Sequence, residues 1–385
     1  MTLTRIFVGL LVVCTLVAGL HYYVWARLVR DPQLPQLWTR VGTVALVALA
    51  LSIPLSLLGS RLLPGLPVRP LLWVVFIWMG IGFLFLTVLG IADAGRALGW
   101  ALQRLLGADG PSDPQKRLLL ARSLAAGVGG VVAGLTGFGL KSALGETQVK
   151  ELTIRLRNLP ATLSGLRLVQ ISDVHVGPLL RKDWLARIVA EVQSLKPDLI
   201  AITGDLVDGS VAELREHVAP LADLKAKHGV FFVTGNHEYY SGVEEWMAHL
   251  PKLGVRPLAN ERVEIAPGLD LAGINDLTAH GPDAPDLKRT LAGRDPLRPV
   301  VLLAHQPRQF LEAADQGVDL TLSGHTHGGQ IWPFTFLVAL AQPYVAGLHL
   351  RGASQLYVSR GTGFWGPPMR ILAPAEITLL KLVPA

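Results

Sequence analysis

Apolar residues follow two different rhythms along the 385 residues of the chain. In the first third they come in long blocks: residues 6–26, 41–60, 70–92 and 123–140 contain no Asp, Glu, Lys or Arg. A helix needs about 20 apolar residues to cross a hydrocarbon layer of ~30 Å. Three blocks suffice as they stand, and the fourth does once Leu118 to Ala121 are included. The pattern predicts four transmembrane helices, at about residues 4–26, 41–60, 70–92 and 118–140. The first is longer than a signal-peptide core and is followed by further spans, which argues against cleavage. Pro54 is expected to kink the second span, and Gly127, Gly130 and Gly134 to let a neighbouring helix approach the fourth. His21 reads as an interfacial group.

From about Thr147 the rhythm shortens. "VKELTIRL" alternates with period two, and "LRLVQIS" and "PDLIAITGD" read as buried strands. Residues 185–195 and 211–227 have helical spacing, and "GVFFVTGNHE", "RPVVLLAHQP" and "GVDLTLSGHTH" read as three more strands. The chain is therefore expected to divide into a transmembrane region, residues 1–146, and a soluble α/β or α+β domain, residues 147–385.

Composition agrees with a membrane protein: half of the residues are hydrophobic and the mean hydropathy is +0.42. Charge is unevenly divided, with twelve Lys and Arg against five Asp and Glu before Thr147, and 23 against 24 from there on. The isoelectric point near 9.5 thus comes from residues flanking the apolar blocks. There it reads as membrane topology, and nucleic acid is not expected as a partner. The first and third loops carry Arg27, Arg30, Arg40, Arg96, Arg104, Lys116 and Arg117, while the amino terminus and second loop carry Arg5, Arg61 and Arg69. That bias puts the first and third loops in the cytoplasm and the soluble domain outside, in the periplasm or cell exterior. "KRLLLARSLAAGVGGVVAGL" is similar to a twin-arginine export signal with Lys in the first basic place, which agrees. The glycines in this stretch follow no strand and lead to no Lys-Ser/Thr pair, so a phosphate-cradling loop is a poor reading. Cys14 is the only cysteine, which excludes a disulfide framework and a thiolate metal site.

Five of the soluble strands run directly into polar clusters: Asp173 and His175, Asp205 and Asp208, Asn236 and His237, His305, then His325 and His327. Ligand sites in α/β sheets lie at the carboxyl ends of strands. Any one of these residues alone reads as a cap or turn. Together they make a donor set of imidazole, carboxylate and amide without thiolate, which suits Mn, Fe or Zn. Nine such residues exceed one site, and seven donors suit two ions sharing one carboxylate, the arrangement that activates a bridging hydroxide and braces a phosphoryl transition state.

"DVH" at Asp173 to His175, "GDLVD" at Gly204 to Asp208, "GNHE" at Gly235 to Glu238, "AHQP" around His305 and "GHTHGGQ" at Gly324 to Gln330 resemble five ordered signatures. They are those of the calcineurin-like metallophosphoesterase superfamily. The resemblance covers about 240 residues, and "GHTHGGQ" behind a multispan amino terminus is similar to the bacterial membrane-associated YkuE/YaeI-like branch. It implies a four-layer αββα sandwich and hydrolysis of a phosphoester or pyrophosphate by a metal-bridging hydroxide. One ion would be held by Asp173, His175, the bridging Asp205 and His327, and the other by Asp205, Asn236, His305 and His325. His237 would contact the phosphate and protonate the leaving oxygen, which an imidazole can do near neutral pH. Asp208 and Glu238 are expected to orient ligands.

The remaining histidines, His217, His228, His249, His280 and His349, read as ordinary surface or packing groups. Arg360 and Arg370 are weak candidates for contact with a substrate phosphate. The apolar run "IWPFTFLVALAQPYVAGLHL" behind the last motif suggests insertion at a lipid interface or a groove for acyl chains, hence a lipid-linked substrate. A non-catalytic membrane scaffold is the rival reading, and the intact ligand set argues against it. A transporter would be expected to carry ionisable groups within its spans, which the charge-free blocks lack.

Overall fold

Four helices long and apolar enough to cross a membrane open the chain: α1 (Leu3–Trp25), α2 (Gln36–Leu62), α3 (Arg69–Leu105) and α4 (Pro114–Leu144). The computed structural model describes residues 3–62, 69–107 and 113–385, so residues 1–2, 63–68 and 108–112 of the expected membrane region lie outside the described residues. By its contacts the chain forms two units, Met1–Lys141 with Gly366–Met369, and Ser142–Trp365 with Arg370–Ala385.

In the first unit, α3 has 37 residues, a length of about 55 Å at 1.5 Å per residue. It continues past its apolar block into Asp93, Arg96 and Arg104. Charge is neutralised at that margin: Arg27 donates to Asp31 (3.0 Å) and Asp93 (2.7 Å), and Tyr23 donates to Asp93 (2.8 Å). His21 is buried, its Nδ1 donating to the Val17 carbonyl (2.7 Å) and its Nε2 accepting from Trp78 (2.8 Å). His21 thus makes a satisfied contact between two helices. Pro54 lies inside a helix that continues on both sides of it. Among the described residues no atom lies within 4 Å of where a Cβ would stand on Gly127, Gly130 or Gly134, so the close approach expected there is not made.

The second unit contains twelve strands among its described residues: β1 (Gln148–Leu156), β2 (Leu166–Ile171), β3 (Leu199–Thr203), β4 (Val230–Val233), β5 (Val255–Pro257), β6 (Glu261–Ala266), β7 (Leu269–Gly273), β8 (Val300–Leu303), β9 (Leu320–Ser323), β10 (Gly347–Arg351), β11 (Ser354–Val358) and β12 (Glu376–Pro384). Its helices are α5 (Lys182–Ser194), α6 (Val211–Val218), α7 (Asn236–Ser241), α8 (Val243–His249), α9 (Leu287–Thr290), α10 (Phe310–Asp315) and α11 (Phe334–Ala341). The strands form two six-stranded mixed sheets, ordered β1-β12-β2-β3-β4-β5 and β10-β11-β9-β8-β7-β6.

Period-two alternation explains the layering. In the first sheet Leu168, Ala201, Phe231 and Val233 face the second sheet, where they meet Leu271, Val301, Leu303 and Leu322. Their neighbours Val169, Ile200, Ile202 and Phe232 face Leu185, Ile188, Val189 and Val192, the i, i+3, i+4, i+7 stripe of α5, along with Trp246 of α8. On the far side Ala272, Val300 and Leu302 pack with Leu287 and Ala313 from α9 and α10. Each fully buried Leu, Ile or Val contributes roughly 1.5–3 kcal/mol. The result is the four-layer αββα sandwich the sequence motifs imply.

The helix expected over 211–227 ends at Val218 and tightens into a 3₁₀ turn over Ala219–Asp223. Pro220 has no N–H to continue the α pattern. The run after Gln330 forms α11, a helix rather than a loop, with no buried residue: Phe336 is 65% and Leu340 86% exposed.

Candidate metal centre

Because β2, β3 and β4 are parallel, with Ile171 beside Ile202 and Thr203 beside Val233, their carboxyl ends share one edge. Asp173 and Asp205 stand two residues beyond β2 and β3, and Asn236 three beyond β4. In the second sheet, where β7, β8 and β9 are parallel, His305 and His325 stand two residues beyond β8 and β9. His175 and His327 follow two residues further on. The chain thus turns inward at each strand end, and that turn is strained. Asp173, His175, Asp205, His325 and His327 have φ between 50° and 72°, a left-handed conformation costing a non-glycine residue on the order of 1–3 kcal/mol.

Hydrogen bonds hold these turns in place. Asp173 N–H donates to the Gly204 carbonyl (3.0 Å), His175 N–H to the Asp205 carbonyl (3.1 Å), and His325 N–H to the Asp173 carboxylate (2.8 Å). Two glycines allow the approach: a Cβ on Gly235 would collide with the Asp205 carboxylate, and one on Gly324 with Ser172 Oγ and Asp173 Oδ2.

The ligand atoms gather in overlapping triads, Asp173 with His175 and His327, Asp205 with His305 and His325, and His175 with Asp208 and His237, each within 4.8 Å. Asp205 Oδ2 lies 3.2 Å from His305 Nε2 and 3.9 Å from His175 Nε2, so one oxygen reaches both of the first two groups. His327 Nε2 is 3.1 Å from His175 Nε2 and 3.4 Å from Asp173 Oδ1. Two donor atoms, Asn236 Oδ1 and His305 Nε2, are buried without a hydrogen-bond partner. The His305 contact to Asp205 is short but lacks hydrogen-bond alignment. His305 Nδ1 donates to the Thr203 carbonyl at 2.8 Å, so Nε2 carries the lone pair whenever the ring is neutral. Leaving such an atom unpaired costs about 1–3 kcal/mol, and a divalent ion preferring nitrogen and oxygen would satisfy both. The donor set fits the metals the motifs imply.

Electrostatics divides the imidazoles into two kinds. Burial opposes charge on His175, but the bond to Asp208 and the nearby Asp205 and Asp173 raise its pKa to about 9. His305 is also raised well above the usual value, because Asp205 outweighs its burial. Burial, reinforced by the charge on His305, pushes His325 down to about 4. His327 lies well below the ordinary range through burial and the charges of His175 and Arg370. Burial would raise Asp205, yet His305 and His175 hold it far below the usual carboxylate range.

Asp208 Oδ1 accepts from Nδ1 of both His175 (3.1 Å) and His237 (2.6 Å). A carboxylate only accepts, so each ring keeps its proton on Nδ1 and presents Nε2 inward. His237 Nε2 lies 4.0 Å from Asp205 Oδ2. Glu238 is buried and accepts from the N–H groups of Asp205 (3.0 Å), Leu206 (2.7 Å) and Gly235 (2.6 Å), tying the β3 turn to the β4 turn. Its burial and the charge of Asp205 push its carboxyl up to about 7.

Neither arginine behaves as a free phosphate ligand. Arg370 is fully buried, donates to the carbonyls of Gly363, Ala373 and His327, and lies 3.3 Å from His327 Nδ1. Arg360 pairs with Glu376 (3.3 Å). Sequence reasoning missed Asp276, a buried carboxylate three residues beyond β7 that accepts from Gln306 Nε2 on both oxygens (3.1 and 3.0 Å). Its charge acts on His305 and His325. The signal was the polar "GIND" at a strand end, obscured because β7, LDLAG, is interrupted by Asp270 and Gly273 and shows no continuous apolar run. His228 is used on the Ile265 carbonyl and His349 packs against Tyr344 at a ring-centre distance of 4.8 Å, and neither belongs to these clusters.

A two-sheet sandwich whose strand ends bring together imidazole, carboxylate and amide donors belongs to the class of divalent-metal proteins. Residues 166–329 match the family model described as Calcineurin-like phosphoesterase. The chain is 42% identical over 275 residues to an uncharacterized metallophosphoesterase of Helicobacter pylori, covering 70% of this chain and 73% of that one. It is 39% identical over 319 residues to a transmembrane protein with metallophosphoesterase domain of Bos taurus, covering 77% and 70%. To the uncharacterized metallophosphoesterase YkuE of Bacillus subtilis it is 31% identical over 246 residues, covering 61% and 85%. The chain belongs to the calcineurin-like phosphoesterase family.

Proposed function

We propose that the protein is a membrane-anchored phosphoesterase with two divalent ions, acting on a phosphoester or pyrophosphate bond. The observation that carries this reading is the pair of donor triads, Asp173 with His175 and His327 and Asp205 with His305 and His325, with Asp205 Oδ2 3.9 Å from His175 Nε2 and 3.2 Å from His305 Nε2, while Asn236 Oδ1 and His305 Nε2 are buried and unpartnered. Asp173, His175, Asp205 and His327 would hold one ion, and Asp205, Asn236, His305 and His325 the other, Mn, Fe or Zn being compatible. When bound, two such ions supply a hydroxide nucleophile at neutral pH and positive charge to brace the phosphoryl oxygens.

The remaining work falls to the chain. Asp208 accepts from His237 Nδ1–H, so in the imidazolium form Nε2–H would deliver the proton to the departing oxygen and leave the neutral Nδ1–H tautomer. Glu238 and Arg370 hold the ligand-bearing turns rather than touching substrate.

Loading must displace a proton from His175 at one site and from His305 at the other. Both are raised bases, so the protonated, metal-excluding forms dominate below their pKa values and affinity is lost as pH falls. Apparent metal affinity should drop roughly tenfold per pH unit at the His175 site below about pH 9, and should fall in the same direction at the His305 site. Calorimetry between pH 6.5 and 8.5 in buffers of different ionisation heat would read the released protons, and a flat profile would contradict the assignment.

The exposed apolar helix α11, directly behind the last motif, supports a lipid-linked substrate. The basic-loop bias supports a multispan anchor with the catalytic domain in the periplasm or cell exterior. The test is hydrolysis by Mn-reloaded, detergent-purified protein of a monoester, a diester and a lipid-linked pyrophosphate in parallel. Replacing Phe334 and Phe336 by Ser should lower turnover of the lipid substrate about tenfold relative to the soluble ones, roughly the loss of one buried apolar side chain. Equal rates on all three, unchanged by the substitution, would remove the lipid linkage. Silence on all three with two metals bound would favour the scaffold.

A further inference from the structure

We propose that Tyr240 and Trp365 form a subsite that stacks on a ring carried by the leaving group of the substrate. The inference rests on the phosphoesterase reading and deepens it by assigning the chemistry of one end of the substrate. Both side chains flank His237: the Tyr240 ring centre lies 5.4 Å from that of His237 and the Trp365 ring centre 5.7 Å, at interplanar angles of 67° and 73°. Both are largely uncovered, Tyr240 at 70% and Trp365 at 56% exposure. Large aromatic surfaces left in water beside a polar centre mark a place where a ligand completes the burial.

The position of the pair follows from the metal motifs themselves. Tyr240 lies on α7, the short helix that begins at Asn236, four residues after that candidate ligand. Trp365 comes from a distant loop, but Gln330, which closes "GHTHGGQ", grips its backbone with both ends of its amide. Gln330 Nε2 donates to the Trp365 carbonyl (2.9 Å) and Gln330 Oε1 accepts from the Trp365 N–H (3.0 Å). The loop is thereby registered to the turn bearing His325 and His327, with the indole beside His237.

The chemistry follows from what His237 must do. The departing oxygen has to come within hydrogen-bond reach of its imidazole, so whatever that oxygen carries leaves the site past the flanking rings. Aromatic faces favour a flat or puckered ring, whether aryl, nucleobase or sugar, over a small alkyl group, since stacking contributes beyond simple burial. The phosphoryl end lies toward the metal donors and the ring end toward Tyr240 and Trp365.

The experiment uses full-length, Mn-reloaded protein in detergent and measures equilibrium binding of phenylphosphonate and methylphosphonate by calorimetry. Hydrolysis of phenyl, ribonucleoside, glucosyl and ethyl phosphates is followed alongside to distinguish the ring sources. Wild-type protein should prefer phenyl to methyl, and Trp365→Ala should cut that preference about tenfold, the worth of one stacked ring. Tyr240→Ala should do the same, and Trp365→Phe, which keeps a ring, should retain most of the preference. Metal content of each variant, read by mass spectrometry, separates loss of the subsite from misfolding. Binding of both phosphonates with no ring preference, or a preference that survives Trp365→Ala and Tyr240→Ala, overturns the subsite and leaves the phosphoesterase standing. No binding and no cleavage with two metals present overturns the phosphoesterase and the subsite with it.

Discussion

Replacing Asp205 by Asn is expected to lower turnover by roughly 10³-fold or more, the loss of several kcal/mol of metal-borne stabilisation at about 1.4 kcal/mol per decade. No neighbouring group can take over. Asp205 Oδ2 is the carboxylate oxygen near both His175 and His305, while Oδ1 accepts from the His237 N–H (2.9 Å). An amide in its place removes a charge that both raised imidazoles depend on, and its NH₂ end would turn a donor toward atoms that need an acceptor. Metal content should fall below two equivalents along with activity. Full turnover with both ions retained would rule out the bridging role.

His237→Ala should lower turnover of an alkyl ester by about 10²–10⁴-fold, the usual worth of a positioned general acid, while metal content stays at two. The asymmetry has a geometric basis: His237 joins only the triad with His175 and Asp208, apart from the Asp173 and Asp205 triads. The deficit should shrink on a nitrophenyl ester, whose leaving group departs without a proton, and the ratio of the two losses is the diagnostic reading. Loss of both ions in this variant would instead make His237 a ligand. Asp208→Asn should resemble His237→Ala on the alkyl ester but also weaken metal binding, because the same oxygen orients His175.

The sequence made the donors legible because each stands two to four residues beyond a strongly apolar strand, and β2, β3, β4, β8 and β9 are short and largely buried. The sandwich followed from the motifs that the strands carry. Other features had no local signature. Asp173 and His325 are 152 residues apart, and no pattern announces that their backbone takes left-handed φ. Arg370 looked like a free cation because its acceptors are main-chain carbonyls, which a sequence does not display. Asp276 was hidden because β7, with Asp270 and Gly273 in it, lacks the continuous apolar run of the other strands. The extent of α6 was misjudged because its hydrophobic period runs on through Pro220 while its hydrogen bonding does not.

The placement of β12 bears on how the chain is made. Residues 376–384 lie between β1 and β2, parallel to one and antiparallel to the other. Everything needed for β2 through β5 emerges first during synthesis, yet β2 keeps a bare edge until the last strand arrives. Pairings of such long sequence separation form slowly, and an apolar strand waiting with an open edge invites association with other chains. Folding of the second unit therefore closes from its far end: the nascent protein passes through a stage with its donors already synthesised and its first sheet still unsealed, when a chaperone has most to protect.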